Sequence, residues 1–235
     1  SGYQAMRISA MSSTGHLVDG VFLKKKGVDL KGRCMIMTPP NAGFYEQMMA
    51  PGRSIIALAE KLKANILFFN YPGAGKSSGW FPNRDAMVAS HQVMRLLLEE
   101  MGATQIVDFG WSIGGGVKWR DHLVNPSPQG KYYIVDYQTF RSLSNFGWEI
   151  FGEFGRKAVK FLQWEYDSET ALKQSSHLHF VVQTFGDQVM KEGNTLGEVA
   201  ALGHFASNTG EHGEPLTEEL IDSIKREVEA FFKEE

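Results

Sequence analysis

Short uninterrupted apolar runs alternate along this chain with longer stretches whose apolar residues recur at helical spacing, and few folds accept that pattern. Residues 34–38 (Cys-Met-Ile-Met-Thr), 65–70 (Asn-Ile-Leu-Phe-Phe-Asn), 105–109 (Gln-Ile-Val-Asp-Phe), 131–137 and 178–184 have the length and composition of strands buried on both faces. Between them, residues 53–63 gather Ile55, Ile56, Leu58, Ala59 and Leu62 on one helical face. Residues 85–101 do the same with Met87, Val88, His91, Met94, Leu97 and Leu98, and residues 216–233 with Leu220, Ile221, Ile224, Val228, Phe231 and Phe232. A strand apolar on both faces must be covered on both faces, and helices that cross over between parallel strands do this. The chain therefore reads as α/β, with a mostly parallel central sheet and helices on both sides. Ahead of it, Val18-Asp19-Gly20-Val21-Phe22-Leu23 suggests an antiparallel hairpin at the sheet edge.

A length of 235 residues is ordinary for one α/β domain and long enough to bury a core without metal or disulfide staples. No linker, repeat or low-complexity tract divides it, so residues 1–235 read as a single domain. Cys34 is the lone cysteine, falls in a predicted buried strand, and excludes an intrachain disulfide. A net charge of −3 does not suggest the basic face that nucleic acid requires. No apolar run approaches the ~18 residues of a membrane span, and the opening Ser1-Gly2-Tyr3-Gln4 does not read as a signal peptide.

In such sheets ligands bind beyond the carboxyl ends of the strands, so the residues just past each strand carry the chemistry. Gly110-Trp111-Ser112-Ile113-Gly114 follows the apolar strand 105–109 and opens a helix predicted over 113–124. This is the context of a nucleophile elbow, in which a serine sits on a strained strand–helix turn and glycines make room for the close approach. The turn aims the Ser112 hydroxyl at the helix N-terminus, where free N–H groups favour an oxyanion. The Ile113 N–H is one expected donor. The second should come from the loop after an earlier strand, Pro39-Pro40-Asn41-Ala42-Gly43, through Asn41 or Ala42. The bland alternative is a glycine-rich turn with a structural serine.

Serine is a weak nucleophile without a base and an acid that orients it. Asp187, in Phe185-Gly186-Asp187-Gln188 just past strand 178–184, is the expected acid; Asp136 and Asp167 are fallbacks. His212 and His204 are the histidines beyond it. A helix at about 195–202 and a short strand at about 203–207 would put His212 in the loop after the last strand, where the base belongs, and His204 at the wrong end. His16, His91, His122, His177 and His179 read as surface or packing residues. Asn70-Tyr71-Pro72-Gly73-Ala74-Gly75-Lys76-Ser77 ends like a phosphate-binding loop, but the leading glycine is missing, Pro72 removes an N–H, and no helix follows.

That last segment instead looks like the loop that follows a central strand in α/β-hydrolases. Together with Gly110-Trp111-Ser112-Ile113-Gly114-Gly115-Gly116 it resembles the serine α/β-hydrolase superfamily, nearest its Bem46-like branch. A narrower likeness, to chlamydial CHLPS-type lipase-like hydrolases, rests on Pro40-Asn41-Ala42 with Tyr45-Glu46, on Asn70-Tyr71-Pro72-Gly73, and on Thr139-Phe140-Arg141-Ser142-Leu143-Ser144. The resemblance implies an α/β-hydrolase fold and a Ser112–Asp187–His212 triad. Pro-Pro-Asn stands where His-Gly is common, and no Gly-Gly or Ala-Gly precedes His212. Such folds insert a lid where this chain has residues 138–166, room for only a small cap. Phe140, Phe146, Trp148, Phe151, Phe154, Phe161 and Trp164 there could line an acyl-binding wall or form a cap's own core.

The expectation is a serine hydrolase of the carboxylesterase or lipase-like class. It would act without metal or organic cofactor on a small-molecule or lipid-like ester or thioester, and the same acyl-enzyme step would serve an acyltransferase. The resemblance is compatible with a cytoplasmic protein or one translocated into a host cell as an effector. The contrasting reading is a catalytically inactive hydrolase fold kept as a protein-interaction module, which gains if neither His212 nor His204 reaches Ser112 and the pocket is filled.

Overall fold

Each apolar run forms a strand because it finds apolar partners on both sides of the sheet. The computed structural model describes residues 2–41, 43–50, 53–191, 193–200 and 205–232. In chain order the elements are β1 (Tyr3–Met11), β2 (Leu17–Lys25), β3 (Arg33–Thr38), a one-turn α1 (Tyr45–Met48), α2 (Ser54–Lys61), β4 (Asn65–Phe69), α3 (Arg84–Glu100), β5 (Gln105–Trp111), α4 (Ile113–Val124), β6 (Tyr132–Tyr137), α5 (Leu143–Phe161), α6 (Ser168–Gln174), β7 (His179–Phe185), β8 (Phe205–Thr209) and α7 (Glu218–Phe231). Among the described residues, eight strands make one sheet in the order β1-β2-β4-β3-β5-β6-β7-β8. β1 and β2 form the antiparallel edge hairpin, β2 meets β4 antiparallel, and every later pairing is parallel.

Alternation along each strand sends successive side chains to opposite layers. Met35 and Met37 of β3, Ile66 and Phe68 of β4, and Tyr133 and Val135 of β6 pack with Leu58 of α2 and Ile221, Ile224 and Val228 of α7. Cys34 and Ile36, Leu67 and Phe69, and Tyr132 and Ile134 pack on the other side with Met94 and Leu98 of α3, Val117 and Trp119 of α4, and Leu172 of α6. Cys34 is thus core, as expected. β5 lies between β3 and β6, so the chain leaves the sheet centre in opposite directions after β3 and after β5. That divergence opens a crevice over the carboxyl end of β5.

The fold departs from expectation in one connection. Instead of a helix at about 195–202, the chain makes one 3-10 turn at Leu196–Val199, pinned by the Leu196 N–H to the Thr139 carbonyl. Ala200 is already extended, at φ −65° and ψ 142°, and Phe205–Thr209 forms the last strand. Through residue 200 the described segment is therefore held to the β6–α5 connection as a single turn followed by extended backbone. His204 lies outside the described residues. The Asn70–Ser77 segment spends its polar groups inside the protein. The Ser77 hydroxyl donates to the Asn70 carbonyl and accepts the Asp19 N–H, and the Asn70 side chain accepts the Tyr45 N–H. Among the described residues, no helix is long and apolar enough to cross a membrane.

Candidate active site

The turn at Ser112 begins with a conflict that glycines relieve. Ser112 holds φ 54° and ψ −120°, a conformation costly for a residue with a side chain. A Cβ at Gly114 would stand 2.2 Å from the Thr38 carbonyl oxygen, and one at Gly110 would stand 2.7 Å from Gly115 Cα. Both distances are shorter than van der Waals contact allows, so the close crossing of β5, α4 and the end of β3 requires glycine at both places. The turn is held from behind by the Ser112 N–H, which donates to the Tyr137 carbonyl at 2.9 Å.

His212 and Asp187 come to this turn from the loops after β8 and β7. Asp187 Oδ1 accepts the N–H groups of Val189 and Met190 at 2.8 and 2.7 Å, which fixes the carboxylate and leaves Oδ2 free to point at His212. His212 Nδ1 lies 2.7 Å from Oδ2. An ionised carboxylate only accepts, so Nδ1 carries the proton and Nε2 is left as an acceptor. Nε2 sits 3.2 Å from Ser112 Oγ. The fallback acids are engaged elsewhere. Asp136 is fully buried, 3.0 Å from Lys118 Nζ, and accepts from Trp119 Nε1 at 2.9 Å. Asp167 caps α6 through the Thr170 N–H at 2.9 Å.

Ser112 and His212 open into a cleft of about 540 Å³ whose lining also includes Ile113 and Asn41. Ile113 is the first residue of α4, where a backbone N–H has no acceptor within the helix. Asn41 is exposed in the loop after β3, and Ala42 lies outside the described residues. The apolar walls are Phe140, Leu143, Phe146, Trp164, Val189 and Met190. The aromatics of 138–166 therefore divide. Phe140, Phe146 and Trp164 face the cleft, whereas Trp148, Phe151, Phe154 and Phe161 are 53%, 69%, 79% and 86% exposed and are not the core of a cap.

Two groups of residues around the site escape sequence reasoning. The first is Gln138, buried and at φ 52° just past β6. Its Oε1 accepts from Trp111 Nε1 at 3.0 Å and from the Gly213 N–H at 2.9 Å. Its Nε2 donates to Thr184 Oγ1 at 2.9 Å and to the Glu211 carbonyl at 3.0 Å. One side chain thus ties the residue before Ser112 to both neighbours of His212. The second group lies under the elbow. Asp108, in mid-β5, meets His122 Nε2 at 2.8 Å and His91 Nε2 at 3.0 Å, and His91 Nδ1 meets Asp121 Oδ2 at 2.8 Å. Arg95 Nε donates to the same Asp121 oxygen at 3.0 Å, and Ser127 bridges His122 to His177. Burial alone would lower the pKa of His91, but the carboxylates on both its nitrogens outweigh it and raise the value to about 9. Burial likewise favours the neutral form of Asp108, yet its histidine partners hold it well below the usual carboxylate range. Burial pushes His177 down to about 4. The cluster locks α3, α4 and β5 together. Its one sequence signal is an aspartate in the middle of an apolar strand.

Residues 5–198 match the profile of the Chlamydia CHLPS protein family (DUF818). The chain belongs to that family. An uncharacterized Caenorhabditis elegans protein is 33% identical over 133 residues, which are 55% of this chain and 25% of that protein, so the chain spans about a quarter of the length of this curated relative. Among solved structures, a Pyrococcus furiosus esterase superposes with a TM-score of 0.68 at 15% identity, covering 99% of this chain and 90% of its own. Carboxyl esterase 2 of Tuber melanosporum gives 0.64 at 14% identity, over 99% of this chain and 86% of its own. An alpha-beta serine hydrolase homologue from Coxiella burnetii gives 0.58 at 14% identity, over 97% and 96%. These likenesses establish an α/β serine hydrolase fold.

Proposed function

We propose that this CHLPS-family chain is a serine hydrolase that cleaves a carboxylic ester or thioester through an acyl-enzyme on Ser112. The observation that carries the reading is the continuous chain from Asp187 through His212 to Ser112 Oγ, with links of 2.7 and 3.2 Å, on a strained elbow open to a cleft. Ser112 Oγ attacks the carbonyl carbon while its proton passes to His212 Nε2. The imidazolium so formed is stabilised by Asp187, which also keeps Nδ1 protonated throughout. The developing oxyanion is held by the Ile113 N–H, where the α4 dipole adds to the stabilisation, and by a second N–H, for which Asn41 on the cleft wall is the candidate. Collapse breaks the bond to the leaving alcohol or thiol, which departs with the proton from His212. Water then gives a proton to His212 and adds to the acyl-enzyme, and breakdown releases the acid and restores Ser112.

The apolar walls suit a small-molecule or lipid-like acyl substrate, since burying apolar surface there favours binding. A non-catalytic module would be favoured by a serine and histidine that stand apart together with a filled pocket; the 3.2 Å between His212 Nε2 and Ser112 Oγ and the open cleft support the hydrolase reading instead. The test is labelling with a fluorophosphonate probe, followed by a panel of p-nitrophenyl esters. Wild-type protein should label and Ser112→Ala should not. Equal labelling of the two, or none in folded wild-type protein, defeats the assignment.

A further inference from the structure

α5 carries a second apolar hollow that shares a wall with the cleft. Its helical pattern breaks at Gly152, which holds φ 61° and ψ −150°, and the two arms fold back on each other. Gly147 and Gly155 mark the crossing. A Cβ at Gly155 would stand 2.0 Å from the Gly147 carbonyl oxygen, although a straight helix would separate these residues by about 12 Å along its axis. Between the arms lies a hollow of about 350 Å³ lined by apolar side chains and glycine only. Leu143, Phe146 and Trp164 line both this hollow and the cleft that holds Ser112. These three side chains form a wall common to the two spaces.

The far part of the hollow is open to water. Ile150, Phe151, Phe154 and Leu162 line it at 51%, 69%, 79% and 62% exposure. So much contiguous apolar surface is unusual on a folded chain unless something covers it. The floor has no polar side chain to satisfy a peptide or a sugar, and it shares Leu143, Phe146 and Trp164 with the cleft that holds Ser112. The occupant that fits is a flexible apolar chain arriving from the scissile bond.

We propose that the hollow is the distal part of a substrate subsite, and that it takes a long unbranched hydrocarbon chain attached to the ester or thioester cleaved at Ser112. The inference rests on the serine-hydrolase reading and deepens it by naming the substrate class. The chain passes Leu143, Phe146 and Trp164 and then lies between the two arms of α5. It enters as either the acyl or the alcohol side of the substrate, and hydrocarbon chemistry is common to both.

The test uses two substrate series below their critical micelle concentrations: p-nitrophenyl esters from acetyl to decanoyl, and acetates of linear alcohols of matching length. In wild-type protein kcat/KM should rise along one series by roughly two- to fourfold per methylene, until the hollow is filled. Ala158 lines the hollow, so Ala158→Trp fills it, and Phe154→Glu places a carboxylate there at a position that is already exposed. Both should flatten that rise when each ester's kcat/KM is read against the same variant's value for the shortest ester of its series. Two flat wild-type series, or a rise that survives both substitutions, overturn the proposal while acetate hydrolysis still upholds the hydrolase reading. Loss of acetate hydrolysis and of Ser112 labelling in wild-type protein defeats the hydrolase reading instead. A wild-type dimer that Phe154→Glu makes monomeric, with an unchanged chain-length profile, assigns this face to a second copy and also overturns the proposal.

Discussion

Truncating Gln138 to alanine should cost the site more than it costs the fold. The side chain makes four hydrogen bonds, to Trp111, Gly213, Thr184 and Glu211. Each is worth roughly 1 kcal/mol net, and a partner left buried and unpaired costs more than one that regains water. Thr184 is buried and loses its donor outright, whereas Glu211 and Gly213 lie in an exposed loop that water can solvate. The balance is a loss of about 2 kcal/mol, or about 4–8 °C in Tm for a chain of this size. The effect on catalysis follows from a different count. The two loop groups released, the Glu211 carbonyl and the Gly213 N–H, flank His212, whose Nε2 already stands 3.2 Å from Ser112 Oγ. Freeing that loop by about 1 Å costs up to about 100-fold in rate. Gln138 does not line the cleft, so the loss belongs in kcat, with KM nearly unchanged. The assay is p-nitrophenyl ester hydrolysis by folded Gln138→Ala, with Tm from circular dichroism. A variant that shows the expected Tm loss yet keeps kcat within twofold of wild type would refute the claim that Gln138 positions His212.

Asp187→Asn should leave the protein folded and lower kcat by about 10³–10⁴, because an amide in that place allows the wrong imidazole tautomer; a loss below tenfold in ester hydrolysis counts against Asp187 as the orienting acid. Gly114→Ala drives a Cβ to 2.2 Å from the Thr38 carbonyl, and the backbone must move to relieve it. The urea midpoint should fall by an amount equivalent to about 1–3 kcal/mol, and an unchanged midpoint would show that the elbow tolerates a side chain there. The His91 cluster makes stability depend on pH. Its folded pKa of about 9 lies above the ordinary 6.5, so its contribution is complete below pH 6.5 and is lost as pH rises towards 9. Wild-type stability to urea should therefore fall between pH 6 and pH 9 more steeply than that of His91→Gln, and parallel slopes would remove His91 from the account.

Much of this protein is written locally. The apolar runs became β3 to β7 because burial on both faces is a property of five to seven consecutive residues; helical spacing placed α2, α3 and α7 within about two residues of their ends, and the glycine-rich turn after β5 placed α4. The elbow was legible too, since Gly110 and Gly114 around Ser112 follow from local crowding. Order along the chain points to Asp187 and His212, because each follows a strand and parallel strands present their carboxyl ends at one edge; the structure brings both side chains to Ser112.

What the sequence could not contain is whatever depends on two distant segments meeting. Gln138 is one polar residue past a strand, with no pattern to mark it. Its role exists only because β6 pairs with both β5 and β7, bringing Trp111, Thr184 and the 211–213 loop around one amide. His91 reads as one position on an amphipathic helix, and only the packing of α3 on α4 and β5 sets it between Asp108 and Asp121. The aromatic-rich segment shows the same limit most plainly. Helical periodicity runs straight through Gly152, yet the backbone there turns to positive φ, the arms close on Gly147 and Gly155, and Phe154 faces water. Hydrophobic pattern records which residues avoid water in a regular element. It does not record where an element folds back, because that is decided by the surfaces it meets.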